Sequence, residues 1–179
     1  MKEPVARLLA EIHASVGEPH DEAVLRLWML IEKKIGPNKR DPLHREILPD
    51  ELFNLSLDEN DLVEIIAGIE PILSCEEIPL SKRAALVNLL GKIPRLESLT
   101  LVLKFFREHE RGLDDESAHS IITAVCPHYL PAIQRSQVLA LLDENETEVS
   151  LERVLNRNSN RLSQPIEIVL TGIRKLKSG

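Results

Sequence analysis

Eleven prolines and seven glycines cut the 179-residue chain into segments of helical length. Between these stops, apolar residues return every three to four positions, the spacing of one helix face. Val5, Leu8, Leu9, Ile12 and Val16 form the first stripe, with Gly17 as its stop. Asp21 is placed to cap a second helix that runs to Ile35, with Val24, Leu25, Trp28, Ile31 and Ile35 as its apolar side. Proline lacks an amide donor and restricts its predecessor, so the charged, three-proline stretch 36–49 is read as a loop, followed by a short turn at Asp50–Leu55. Ser56 and Glu59 fit a capping box that opens a helix to Leu73, with Leu62, Ile65, Ile66, Ile69, Ile72 and Leu73 inward.

Beyond that point the most regular stretch is "KRAALVNLLGKIPRLESLTLVLKFF", Lys82 to Phe106. Ser81 caps a helix from Lys82 to Gly91 whose apolar residues cover most of its circumference, so it is expected to lie between other helices. Pro94 restarts the chain, Leu99, Val102, Leu103 and Phe106 mark the next helix, and Gly112 ends it. Leu89, Leu90, Leu103 and Phe106 are expected in the core. Further helices are read from Asp114 or Asp115 to Pro127, from Pro131 to Leu142, from Val149 to Leu155, and after Ser163, where Pro165 suits a first turn. In this last helix Ile166, Val169, Leu170, Ile173 and Leu176 form the stripe.

The fold class that follows is all-α, with eight or nine helices in a single domain over 1–179, the 36–49 loop separating an N-terminal helix pair from the rest. Composition agrees: 43% of residues are hydrophobic but only 3% aromatic, so the core is aliphatic. Setting Leu86 against Ile121 aligns two hairpin-like stretches at an offset of 35 residues and pairs Leu103, Phe105 and Phe106 with Val138, Ala140 and Leu141, which points to an internal repeat.

Lys82, Arg83, Ala84, Leu90, Gly91, Lys92 and Ile93, followed by the spaced leucines of "LESLTLVLKFF", resemble a bacterial HEAT-like repeat. The likeness is strong over 81–106, and "ESAHSIITAV" with "SQVLALLDEN" is similar to a degenerate second copy. Pro94 stands where such repeats usually carry Gly-Asp or Asp-Pro in the turn. The resemblance implies stacked antiparallel helical hairpins, a short HEAT/armadillo-like solenoid, with exposed faces that bind other proteins. Single hairpins cannot bury their own apolar faces, so stacking is also the physical expectation.

Signatures of chemistry are missing where they were sought. A phosphate-binding loop needs glycine five positions before Gly91, and Leu86 stands there. His109-Glu110 lacks the second histidine of a zinc-protease helix. Glu116 and His119 stand one turn apart, but helical di-metal sites need that motif twice. Cys126 near His128 has no recognisable orienting group. His13, His20, His44 and His128 are expected at the surface. Cys75 and Cys126, without CxxC spacing, read as reduced, buried thiols. The opening residues carry charges that break any signal-like apolar run, and no run reaches membrane-span length. These observations give no catalytic residues, no metal and no cofactor, and a non-enzymatic, cytoplasmic protein is expected.

Charge supplies the one pointer to a partner. Net charge is −7, which opposes general binding to nucleic acid or anionic lipid. From Glu46 to Ser81 there are ten acidic residues and no Lys, Arg or His, so the remainder of the chain sums to +3. Towards the other end, Arg153, Arg157, Arg161, Arg174, Lys175 and Lys177 outnumber Glu167. The expectation is a protein-binding module that meets a basic partner through Asp58, Asp61, Glu64, Glu76 and Glu77, with neither nucleic acid nor membrane as partner. An inhibitor or immunity-type protein covering a basic enzyme or toxin, and an accessory subunit of an enzyme, are the alternatives. A solvated polar face is the plain structural reading of the same run. Reversal of Asp61 and Glu64 to lysine is expected to leave stability unchanged or slightly higher.

Overall fold

The computed structural model describes residues 1–14, 18–35, 42–114, 117–118, 135–157 and 163–178. Among them are ten helices and no strand. They are α1 (Glu3–Ala14), α2 (Glu18–Ile35), α3 (Pro42–Ile47), α4 (Asp50–Phe53), α5 (Glu59–Leu73), α6 (Leu80–Leu90), α7 (Leu96–His109), α8 (Arg135–Glu144), α9 (Thr147–Leu155) and α10 (Ser163–Ser178). The chain divides into two compact units, Met1–Lys82 and Arg83–Gly179.

In the first unit α1 packs on α2 and α5, and α3 lies against α2 and α4. The core comes from Val5, Leu8, Leu9 and Ile12 of α1, Ala23, Leu27, Leu30 and Ile31 of α2, and the six expected apolar residues of α5. Gly68 sits where α5 meets α1. A Cβ built there would stand 2.6 Å from the Leu9 Cδ1 atom, so the absence of a side chain sets how near α5 lies.

Several sequence expectations change here. Residues 42–47 are helical, not loop: Pro42 opens α3, where its missing amide costs nothing, and the helix stops before Pro49. This short helix and α4 raise the count above eight or nine. Helix α2 begins at Glu18, three residues before Asp21, with Pro19 in its first turn. Its buried stripe is His20, Ala23, Leu27, Leu30 and Ile31, whereas Leu25 is 36% exposed. His20 is thus carried inward instead of lying on the surface, and α3 does the same to His44.

The α5 N-cap is Asp58, not Ser56. Its Oδ1 accepts the Asn60 and Asp61 amides at 2.9 and 3.0 Å, and Asp61 Oδ2 accepts the Asp58 amide at 2.7 Å. Leu57 and Leu62, at the positions of a hydrophobic staple around that cap, are both buried, which selects Asp58 over Ser56.

In the second unit α7 packs on α8 and α9, and α10 lies against α8 and α9. Helices α6 and α7 are joined by a turn at Gly91–Arg95, and α6 begins at Leu80, so Ser81 lies inside it instead of capping it. The buried Ser98 hydroxyl donates to the Leu90 carbonyl at 2.5 Å, linking the end of α6 to the first turn of α7. Leu89, Leu90, Leu103 and Phe106 are all at most 3% exposed. Of the aligned positions 35 residues on, Val138 is buried, Leu141 half-buried and Ala140 exposed. Asp114 Oδ1 accepts the Ser117 amide at 2.7 Å, the bond of an N-cap, as expected for a helix starting there. The rest of the helix expected up to Pro127, with Glu116, His119 and Cys126, lies outside the described residues, as do His128 and Arg161.

Candidate functional site

The acidic residues of the first unit separate into two groups. Around the start of α5 they are engaged. Lys2 Nζ bonds Asp61 Oδ2, donates to the Ser56 carbonyl at 2.6 Å and stands 3.7 Å from Asp58 Oδ2. Asp61 is 5% exposed, so it is not on the surface opposite the apolar stripe, as spacing alone suggested. Burial pushes its carboxyl up, but Lys2 and the Asp58 amide more than offset this and hold it below the usual carboxylate range. Glu64 is exposed and meets the Met1 α-amine, Arg7 pairs with Glu51, and Lys34 lies 3.4 Å from Glu59.

Beyond the middle of α5 the pattern reverses. Glu70 lies in the last turn, and Glu76 and Glu77 lie in the turn that follows. All three are exposed, and none has an ion-pair partner among the described residues. The last turn of α5 carries no basic residue. A helix C-terminus bears partial negative charge, so these carboxylates sit where the backbone already disfavours them.

The basic residues of the second unit are largely occupied. Arg157 donates to the Glu110 carbonyl at 2.8 Å and to its carboxylate at 3.3 Å, and Arg153 lies 3.6 Å from the same buried carboxylate. Arg174 reaches Glu148 and Glu152 at 3.2 and 3.1 Å, while Lys177 reaches Asp143 and Glu148 at 3.0 and 2.9 Å. Arg174 and Lys177 therefore hold α10 to α8 and α9, while Arg153 and Arg157 engage Glu110, and Glu148 is held below its ordinary range, first by Lys177.

Three further groups bear on chemistry. His20 is fully buried with neither ring nitrogen hydrogen-bonded, and Asp21 Oδ1 lies 3.5 Å from Nδ1 while pairing with Lys82. Cys75 is half-buried and free of any disulfide, less enclosed than its apolar neighbours suggested. No group of three His, Cys, Asp or Glu side chains with metal-binding geometry occurs among the described residues. No helix among the described residues is long and apolar enough to cross a membrane.

Of the five expected partner-binding residues, the structure leaves Asp58, Glu64, Glu76 and Glu77 exposed and withdraws Asp61. It adds Glu70, which the sequence shows as one of the ten acids of the run. No local pattern announces Lys2, because its partner lies 59 residues away. No protein-family model, curated protein or solved structure matches the chain.

Proposed function

We propose that this protein is a non-catalytic helical binding module that docks a basic protein on the acidic end of α5, formed by Glu70, Glu76 and Glu77. One observation carries this reading: these carboxylates stand exposed and unpaired beside a helix C-terminus, while the acids at the other end of α5 are matched within the chain. Such a site is locally unfavourable in the isolated chain and becomes favourable when a cationic surface covers it. Asp58 and Glu64, partly neutralised by Lys2 and Met1, extend the same field at lower charge. Within this reading the hairpins form a HEAT-like stack, supported by the buried α6–α7 junction over the residues that carry the resemblance.

Capture from a lysate of the source organism at low and high salt tests the proposal. Partners held through this end should be basic and should elute as salt rises, because exposed charges are screened beyond roughly 10 Å at 0.1 M salt. Retention of acidic or neutral partners that salt does not release would contradict it.

A further inference from the structure

A recess of about 250 Å³ opens between α2 and the segment before α5, lined by Leu30, Lys33, Lys34, Leu55, Ser56 and Leu57. It is smaller than the roughly 300–1,000 Å³ of drug-sized sites, so any occupant is small. Its polar side is built on Lys33. That ammonium bonds the Phe53 carbonyl, donates to the Leu55 carbonyl at 3.0 Å and stands 5.1 Å from the centre of the Phe53 ring. An ammonium has three protons, and these bonds use two. No carboxylate pairs with Lys33 among the described residues, although burial is enough to lower its basicity. The neighbouring charges do not correct this. Lys34 lies against Glu59, Arg45 is 5.5 Å from the other cation's aromatic platform, Phe53, and Lys2 donates to the Ser56 carbonyl.

The two carbonyls explain why Lys33 points here, since it ties α2 to the end of α4. They do not supply a counter-ion, and they do not explain the adjoining recess with its three leucines. We propose that the recess binds a small aliphatic carboxylate, with the acid group on the Lys33 ammonium and the carbon chain against Leu30, Leu55 and Leu57. A monoanion fits better than phosphate, because one spare ammonium proton suits a single charge and the leucines offer a dianion nothing. This site is separate from the acidic end of α5 and stands or falls independently of it.

The test uses the full chain and amide spectra, titrated in parallel with butyrate, with uncharged butyramide and with inorganic phosphate. Butyrate should move the signals of Leu30, Lys33, Lys34 and Leu55–Leu57, and the other two should leave them in place. Lys33→Met, which keeps the stem and removes the charge, should weaken butyrate at least about tenfold. If that variant does not fold, the wild-type Lys33 Cε signal decides: saturating butyrate should move its titration to higher pH. Absence of localised shifts with butyrate, equal shifts with butyramide or phosphate, or a Lys33 titration that butyrate leaves unmoved would overturn the assignment.

Discussion

Asp61 shows how far one side chain can depart from its periodicity. It closes the α5 capping box and accepts Lys2 from 59 residues away, and both roles need the carboxylate inside. The expectation that its reversal is harmless therefore fails on physical grounds. Asp61→Ala should destabilise by about 1–3 kcal/mol, combining a lost cap with an unpartnered amide, whereas exposed Glu64→Lys should stay within about 0.5 kcal/mol. Urea melts of the two variants check this. His20 makes the opposite case. Burial lowers its basicity, Lys82 adds to this, and Asp21 only partly opposes them. A folded imidazole that binds its proton less readily than the unfolded one costs nothing at neutral pH. Stability should fall as pH drops below the ordinary histidine value of about 6.5, and the loss should stop once the folded imidazole itself is protonated. His20→Phe removes no hydrogen bond, so it should keep neutral-pH stability and flatten that fall, read as urea midpoints across pH. A large loss at neutral pH would show that the ring nitrogens do find a partner.

At the scale of elements, the stripes on α1 and α5 were legible because Leu, Ile and Val fill them at helical spacing. The stripe on α2 was legible only in part, since Ile31 is buried as expected. Its inward residues include the small Ala23 and the polar His20, while Val24 and Leu25 imitate a stripe one position away. The α5 cap was ambiguous because Ser56-x-x-Glu59 and Asp58-x-x-Asp61 both offer a capping pair, and the amide bonds to Asp58 with the burial of Leu57 and Leu62 separate them. Helix α3 was hidden by its proline, which breaks a helix in the middle but not at its first residue. Two substitutions probe how closely these elements pack. Gly68→Ala gains about 1 kcal/mol of helix propensity but sets a methyl against Leu9, where overpacking costs about 1–3 kcal/mol, so a net loss below about 2 kcal/mol is expected. Phe106→Ala should cost about 3–5 kcal/mol from lost contacts and a residual cavity. Denaturant midpoints measure both, and a Phe106→Ala loss below about 1 kcal/mol would be incompatible with its burial.

Across the whole molecule, the asymmetry that stood out in the sequence survives in altered form. The acidic run is real, but Met1, Lys2 and Lys34 answer the acids at the start of α5, Arg7 answers Glu51, and the end of α5 is left uncompensated. The basic surplus towards the other end is mostly internal to the second unit. Sequence charge counts could not show this, because most of these pairs join residues far apart in the chain, as Lys2 with Asp61 and Lys177 with Glu148 do. What the counts did locate is the segment, and the structure moves the exposed site within it from Asp61 to Glu70. The most direct test of the binding face is the combined reversal Glu70→Lys, Glu76→Lys and Glu77→Lys, measured for thermal stability and for association rate with the captured partner. A lysine in the last turn of α5 favours the helix by about 0.3–1 kcal/mol, so the variant should melt no lower than the wild type. Its association should be slower by at least about tenfold at low salt, with the difference closing as salt rises. A variant that melts normally and captures the partner at the wild-type rate would contradict the assignment of this face.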